Sequence, residues 1–200
     1  MAGVPTNLTS EASLVTAAER ERLLRQRACT VWLTGLGGSG KSTIAKAVER
    51  LLYDGGHACL VLDGDNVRQG LCRDLGFSRE DRAENIRRVA EVAALANDAG
   101  LVVVTAFLSP YAEDRSRARD VIGAQRFVEA FVDAPLAVCE ARDPKGLYRK
   151  ARAGLLPQFT GVTDPYEPPA APDLRLDSAA TTIEACAQAV LRHLHQRGFL

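Results

Sequence analysis

The chain has 200 residues, which suits one domain and at most two. Its 25 basic and 25 acidic residues give a formal net charge of zero, which argues against non-specific nucleic-acid binding, and we expect no nucleic-acid partner. No apolar run approaches the roughly 20 residues that cross a bilayer, and residues 1–10 lack the pattern of a signal peptide. We therefore expect a soluble protein with no membrane partner.

The cysteines favour a reducing compartment. The five residues are widely spaced without a C-x-x-C pair, so neither a disulfide framework nor a zinc site is predicted. Cys29, Cys59 and Cys139 lie in or beside apolar runs, where cysteine usually packs as a small hydrophobic residue. The predicted location is the cytoplasm.

The predicted elements alternate between helix and strand after a flexible arm at residues 1–14. Composition and hydrophobic period predict helices over residues 16–26, 44–52, 79–99, 135–142 and 181–197, and one more that begins at Ser109 with Pro110 in its first turn. Apolar runs predict strands over residues 29–34, 58–62, 101–107, 126–132 and 174–177. Residues 143–172 are rich in proline and glycine, and such a long irregular stretch is typical of a lid.

This alternation predicts an α/β fold of three layers: a mostly parallel five-stranded sheet, helices on both faces and an irregular lid. We assign residues 15–200 to this one domain. Ligands of such sheets bind at the carboxyl ends of the strands. The loops at residues 35–43, 63–65 and 107–109 are therefore expected to surround one crevice.

The segment after the first strand carries the strongest chemical signal. Its sequence, GLGGSGKST at residues 35–43, fits the G-x-x-x-x-G-K-[ST] phosphate-binding loop (P-loop) of nucleotide-binding proteins. Glycines let successive backbone N–H groups face a polyphosphate, and the following helix adds the positive end of its dipole. Lys41 is expected to reach the β- and γ-phosphates of ATP, and Ser42 to ligate Mg²⁺. The predicted loop contacts are Gly35, Leu36, Gly37, Gly38, Ser39, Gly40, Lys41, Ser42 and Thr43.

Asp63 is the candidate general base. The third predicted strand ends without a carboxylate, whereas the second ends in Asp63, where an acceptor hydroxyl can approach the γ-phosphate. The carboxylate would orient that hydroxyl and accept its proton. The alternative is that Asp63 or Asp65 only caps a following helix; for Asp65 both interpretations stand equally.

Six arginines follow the second predicted strand within residues 68–88. Guanidinium groups suit phosphate and sulfate. The alternative is a solvated helix face, in which the arginines pair with Glu80, Asp81, Glu84 and Glu91. The residues concerned are Arg68, Arg73, Arg79, Arg82, Arg87 and Arg88.

Several sequence blocks together make the chain resemble the adenylyl-sulfate kinases (APS kinases), which use MgATP to phosphorylate the 3′-hydroxyl of adenosine 5′-phosphosulfate (APS). The blocks are WLTGL at 32–36, GKST at 40–43, LDGDNVR at 62–68, LGFS at 75–78, DRAENIRR at 81–88, SPY at 109–111, DPKGLY at 143–148, FTG at 159–161 and DPYE at 164–167. Gly37 and Gly38 stand where the family often has Ser or Pro and then Gly, and we expect both to be tolerant loop spacers. Residues 155–158 of the lid, with the sequence LLPQ, depart from the usual pattern of the family.

The resemblance implies the role of each site residue. Asp63 would be the base, Arg68 and Arg82 would hold the phosphosulfate with Asn85, and Phe77 and Phe159 would sandwich the substrate adenine. Leu108 and Ser109 would line the APS site, and Arg142 would approach the ATP base. Ser109 matches a family serine described as a phosphoserine intermediate; we expect direct in-line transfer, with Ser109 as a contact residue. Lys145 and the lid would close over both nucleotides. The predicted catalytic set is Asp63, Lys41, Arg68 and Ser109.

Three functions are weighed. The first is an APS kinase that makes 3′-phosphoadenylyl sulfate and ADP during sulfate activation. The second is another small-metabolite P-loop kinase, for a sugar acid or shikimate. The third is a silent nucleotide-binding subunit that regulates a sulfurylase. The resemblance also implies a homodimer, and some relatives are fused to a sulfurylase, which makes ATP sulfurylase a candidate partner.

Overall fold

The structure, a computed structural model, describes residue 9 and residues 11–200. Most of the predicted arm, residues 1–8 and 10, lies outside the described residues. The helices are α1 (Ala17–Leu24), α2 (Lys41–Asp54), α3 (Gly64–Val67), α4 (Arg79–Asp98), α5 (Ala112–Ile122), α6 (Leu136–Arg142), α7 (Leu147–Arg152) and α8 (Ile183–Gln196). The strands are β1 (Thr30–Thr34), β2 (Cys59–Asp63), β3 (Val102–Ala106), β4 (Phe127–Asp133) and β5 (Leu174–Asp177).

The five strands form one sheet in the order β2-β3-β1-β4-β5, and every pairing between them is parallel. In this register Thr30 of β1 lies beside Val103 of β3 and Phe127 of β4. Strands β1 and β3 are buried at every position, which explains their uninterrupted apolar or β-branched sequences. The predicted parallel five-stranded sheet is confirmed.

Helices cover both faces of the sheet and divide the core into two clusters. Because successive side chains of a strand point to opposite faces, β1 supplies Val31 and Leu33 to one cluster and Trp32 to the other. The first cluster includes Ile44 and Val48 of α2 with Val190 and Leu194 of α8. The second includes Ile86 and Val89 of α4 with Ala118 and Ile122 of α5. The predicted three layers are therefore present.

Two local expectations need correction. Helix α5 begins at Ala112 with Tyr111 as its N-cap, so Pro110 precedes the helix instead of lying in its first turn. Residues 143–172 are not irregular throughout, because they contain α7. The carboxylate of Asp143 accepts hydrogen bonds from the backbone N–H groups of Tyr148 (3.1 Å) and Arg149 (3.1 Å) near the start of that helix. The proline and glycine content of the segment hid this short helix.

In the described part of the chain, no helix has the length and apolarity that crossing a membrane requires.

Candidate active site

Three glycines shape the P-loop between β1 and α2. Gly35, Gly38 and Gly40 have φ of 152°, 74° and 100°, which side chains rarely allow. A Cβ at Gly38 would lie 2.9 Å from the carbonyl oxygen of Cys139, whereas one at Gly37 would meet nothing nearer than 3.8 Å, at Tyr148. Gly37 is therefore a tolerant spacer as expected. Gly38 is not, because its backbone packs directly on α6.

The side chain of Lys41 folds back over the first residues of the P-loop. Its side-chain ammonium donates hydrogen bonds to the carbonyl oxygens of Gly35 (2.8 Å) and Leu36 (2.7 Å). Burial lowers the pKa of Lys41 to about 8. The loop carbonyls hold the ammonium beside the place where the backbone would cradle phosphates, so a bound polyphosphate can replace them as its partner.

Asp63 both caps a helix and contacts the P-loop helix. Its Oδ1 accepts from the backbone N–H of Asp65 (3.0 Å), which makes it the N-cap of α3. Its Oδ2 accepts from the hydroxyl of Ser42 (2.6 Å). The capping and functional interpretations are thus compatible. Asp65 has a different role and forms an ion pair with Lys145 of the lid.

The Ser42–Asp63 pair fits a hard cation, because a hydroxyl and a carboxylate are oxygen ligands that Mg²⁺ accepts. Among residue 9 and residues 11–200, no group of three or more His, Cys, Asp or Glu side chains is arranged to hold a metal ion. Mg²⁺ usually takes only one or two protein carboxylates and completes its coordination with phosphates and water. The donor set matches a cation that arrives with a nucleotide.

The outer side of the P-loop is supported by Arg142. Its guanidinium donates to the carbonyl oxygens of Gly38 (3.3 Å), Ser39 (3.4 Å) and Ser178 (2.6 Å). The hydroxyl of Ser178 donates to the same Ser39 oxygen at 2.7 Å. The structure therefore places Arg142 beside the loop that would bind ATP, as a brace for its backbone. No sequence signal marked Ser178.

The arginines after β2 divide into paired and unpaired groups. The paired ones are Arg79 with Asp114, Arg87 with Glu84, and Arg88 with Glu84 and Asp74. Arg68, Arg73 and Arg82 form no ion pair with any residue that the structure describes, and two of the three, Arg68 and Arg82, share one aromatic neighbour. Their guanidinium carbons lie over the Phe77 ring, 4.5 and 5.6 Å from its centroid. Burial, and then the charge of Arg82, lowers the pKa of Arg68. Two adjacent guanidinium groups without a bonded carboxylate favour an anionic ligand.

Phe77 and Asn85 differ in exposure although both lie near these arginines. Phe77 is 61% exposed, so part of its ring surface is open to a stacking partner. Asn85 lies three residues after Arg82 on α4 and is only 4% exposed. Within the described residues its Oδ1 has no hydrogen-bond partner. A buried polar atom of this kind fits a ligand or water contact.

Arg82 also joins the two segments that carry the predicted adenine-stacking rings. It donates to the carbonyl oxygen of Phe77 (3.0 Å) and to that of Gln158 in the lid (2.9 Å). The next lid residue, Phe159, packs edge-on against Tyr148 at 4.9 Å between ring centroids. Tyr148 in turn donates to the carbonyl oxygen of Gly37 (2.9 Å). The lid thus contacts both the P-loop and the arginine pair.

A cavity of about 500 Å³ lies between the P-loop and the lid. It is lined by Leu36, Gly161, Val162, Thr163, Asp164, Pro165, Tyr166 and Pro168. Of the predicted site residues, Leu36 alone contributes to this wall. Asp164 and Tyr166 belong to a block that resembles the family, but the sequence offered no chemical reason to single them out.

Ser109 is a predicted site residue that the structure buries. It is 2% exposed, and its hydroxyl donates to Thr34 Oγ1 (2.9 Å) and accepts from Trp32 Nε1 (3.2 Å). Protein groups therefore hold this hydroxyl in this conformation, and its contact with a substrate stays a prediction. The neighbouring Leu108 is partly exposed, as expected for a residue that lines the crevice.

The parallel sheet, the P-loop at the end of β1, the carboxylate at the end of β2 and the lid define a P-loop protein with a kinase-type crevice. A family model described as adenylylsulphate kinase matches residues 27–177. The adenylyl-sulfate kinase of Marinobacter nauticus is 51% identical over 192 residues, 96% of each chain. That of an Enterobacter species is 60% identical over 163 residues, 82% of this chain and 81% of its own.

Solved structures agree with these relatives. The Mycobacterium tuberculosis APS kinase, in complex with AMPPNP and APS, superposes with a TM-score of 0.82 and 52% identity, over 85% of this chain and 99% of that one. The chain belongs to the adenylylsulphate kinase family.

Proposed function

We propose that the protein transfers the γ-phosphoryl group of ATP to the 3′-hydroxyl of APS, giving 3′-phosphoadenylyl sulfate and ADP for sulfate activation. The observation that carries this proposal is the charge pattern of the crevice. A P-loop and the Ser42–Asp63 pair stand at one side. Arg68 and Arg82 stand at the other, stacked on Phe77 and without carboxylate partners among the described residues.

The donor side of the reaction belongs to the P-loop. Its backbone N–H groups and Lys41 would bind the β- and γ-phosphates of ATP, with Arg142 bracing the loop from outside. Mg²⁺ bound with ATP beside Ser42 would neutralise charge on the phosphate oxygens. Phosphoryl transfer passes through a loose transition state, so positioning and charge neutralisation supply most of the catalysis.

The acceptor side belongs to Asp63 and the arginine pair. Asp63 would orient the 3′-hydroxyl and take its proton with Oδ2, the oxygen that does not cap α3 and that would be released when Ser42 ligates Mg²⁺. Arg68 and Arg82 would bind the phosphosulfate, with Asn85 and Leu108 completing the wall. Phe77 and Phe159 would stack on the adenine. Lys145 and the lid would exclude water from the transferred group.

The test is ADP release measured with MgATP and one acceptor at a time. Our proposal predicts release with APS and little with gluconate, shikimate or no acceptor. Phosphorylation of a sugar acid but not APS would support a different small-metabolite kinase. Nucleotide binding without ADP release would support a silent subunit of a sulfurylase.

We also propose that the protein is a homodimer located in the cytoplasm. All five cysteines lie within the described residues and are free, which suits a reducing compartment. Light scattering coupled to size-exclusion chromatography measures the oligomer directly: a homodimer gives about twice the chain mass of 21.5 kDa. An ATP sulfurylase partner stays a prediction.

A further inference from the structure

A buried hydroxyl junction lies at Thr34, the last residue of β1 and the one before the P-loop. The Thr34 hydroxyl donates to the carbonyl oxygen of Leu108 (2.9 Å). It accepts from the hydroxyl of Ser109 (2.9 Å) and lies 3.1 Å from that of Tyr166. A threonine hydroxyl has one proton and two lone pairs. The carbonyl oxygen of Ser109 lies farther away, at 3.4 Å. When the Thr34 proton goes to the nearer Leu108 oxygen, Tyr166 is the donor, and every hydrogen-bonding position of Thr34 is used.

This Thr34 junction, defined as the hydroxyls of Thr34, Ser109 and Tyr166, joins three functional segments. Thr34 leads into the P-loop. Ser109 belongs to the acceptor loop, residues 107–111, where we place the APS wall. Tyr166 belongs to the lid root, residues 166–167, where the lid returns to the sheet. Thr34 is fully buried and Ser109 is 2% exposed, so water does not compete for the bond between their hydroxyls, whereas Tyr166 is half-buried and closes the junction on the cavity side.

The junction holds the acceptor loop in an unfavourable backbone conformation. Ser109 has φ of 37°, a left-handed value that is uncommon for a residue with a side chain. Its hydroxyl is fixed between Trp32 Nε1 and Thr34 Oγ1, and its carbonyl oxygen accepts from Arg115 at 2.8 Å. Such a conformation persists when its surroundings determine it.

Arg115 ties the lid root to the same loop. Its side chain is 4% exposed and pairs with Glu129 of β4 at 2.9 Å. Its other nitrogens donate to the carbonyl oxygens of Ser109 (2.8 Å) and Glu167 (2.8 Å). The backbone N–H of Glu167 donates to the carbonyl oxygen of Pro110 (2.8 Å). Arg115 therefore bonds the acceptor loop, the lid root and the sheet at once, with a fork that lysine cannot reproduce.

We propose that the Thr34 junction sets the register between the P-loop and the acceptor loop, and that Thr34, Tyr166 and Arg115 are positioning residues for phosphoryl transfer. The inference rests on the proposed function, because the acceptor is placed at residues 107–109. Displacement of one reactant by about 1 Å can slow a reaction about 100-fold. Loss of the junction should therefore slow transfer while ATP still binds.

The first test is Tyr166→Phe, which removes one hydroxyl and keeps the ring that stacks on Phe131 at 6.1 Å. We expect kcat with APS to fall about tenfold, because one of the two bonds that Thr34 accepts is lost and the register loosens. The dissociation constant of ATP and the midpoint of thermal unfolding should stay close to wild type. Tyr53→Phe is the matched control, since Tyr53 is 68% exposed on α2.

Thr34→Val removes the whole junction with little change of shape, and we expect a loss in kcat of about 100-fold. In the double variant, Tyr166→Phe should add no further loss, because its partner is already absent. If Thr34→Val does not fold, Arg115→Lys replaces it in the comparison of kcat with ATP affinity, and the expected result is again a lower kcat with ATP affinity unchanged.

Wild-type kcat in Tyr166→Phe would overturn the proposed role of the junction, and so would losses that multiply in the double variant. A fall in ATP affinity equal to the fall in kcat/KM would also overturn it. These results differ from failure of the proposed function, in which the wild-type protein itself would not phosphorylate APS.

Discussion

Asp63 performs its proposed chemistry because local structure fixes its direction. One carboxylate oxygen caps α3 and the other accepts from Ser42, so the side chain is held toward the start of the P-loop helix. Pre-organisation of this kind lets a group act without reorganising during the reaction. The cap is therefore part of the proposed mechanism.

Replacing Asp63 with asparagine tests its role as the base. In Asp63→Asn the amide oxygen can still cap α3, but it cannot take a proton at neutral pH. We expect kcat to fall by about 10²–10⁴, with a much smaller change in ATP binding. The control is Asp65→Asn, because Asp65 is the neighbouring carboxylate and pairs with Lys145 instead. Equal turnover in Asp63→Asn and wild type would refute the assignment.

The lowered pKa of Lys41 predicts that the protein takes up protons when it binds a nucleotide. Its pKa is lowered to about 8 by burial, so about half of the side chains are neutral at pH 8 in the free protein. A polyphosphate raises that pKa, so binding at pH 8 should take up about half a proton, and ATP affinity should decrease as pH rises through 8. Calorimetry at pH 8 in buffers of different ionisation enthalpy measures the uptake. Lys41→Met should abolish it; uptake that persists in this variant would contradict the assignment.

At the scale of elements, the P-loop packs against α6 at Gly38. Gly38 combines φ of 74° with contact to the Cys139 carbonyl, whereas Gly37 has neither constraint. The two neighbours therefore form a matched pair of positions.

Gly38→Ala should damage the loop and Gly37→Ala should not. A left-handed alanine costs about 1–2 kcal/mol before the clash with Cys139 is added. We expect the unfolding midpoint to fall by about 2–8 °C in Gly38→Ala, and ATP affinity to fall with it. Differential scanning calorimetry and ATP titration measure both quantities. Similar behaviour of the two variants would show that the loop is not held against α6 in this way.

Helix α4 and the lid are connected by Arg82, which makes this residue the most informative of the arginines. Arg82→Ala should weaken APS binding by about 10- to 150-fold, because a charge-assisted hydrogen bond contributes about 1.5–3 kcal/mol. The control is Arg87→Ala, since Arg87 pairs with Glu84 at 2.7 Å. APS titration in the presence of ADP measures the effect. Unchanged APS affinity in Arg82→Ala would show that the APS site does not include Arg82.

At the scale of the whole molecule, the elements that sequence reasoning found are those with a strong local pattern. Strands β1 and β3 are uninterrupted apolar or β-branched runs, and α4 repeats Ile86, Val89 and Ala93 at helical spacing. Helix α3 has only four residues and α7 only six, too few for a period to be recognised. The cap of α3 at Asp63 was among the sequence interpretations, whereas the bonds from the first turn of α7 to the Asp143 carboxylate were not.

The parts of the candidate site that lie in a sequence motif could be predicted. The parts that form where distant segments of the chain meet could not. The P-loop, Asp63 and the unpaired Arg68 and Arg82 could all be proposed from motifs. The contact between Thr34 and Tyr166 joins residues 132 positions apart. It depends on how the lid returns to the sheet, which no local pattern encodes. The burial of Ser109 follows from the same packing, which the sequence does not show.

We propose that the molecule as a whole brings ATP and APS together in one crevice. The most direct measurement follows the γ-phosphoryl group from ATP into product by ³¹P NMR, with APS as acceptor. Our account predicts a new phosphomonoester on the ribose 3′-oxygen of APS, formed in equal amount with ADP. Release of the γ-phosphoryl group as inorganic phosphate, or its appearance on any other position, would contradict it.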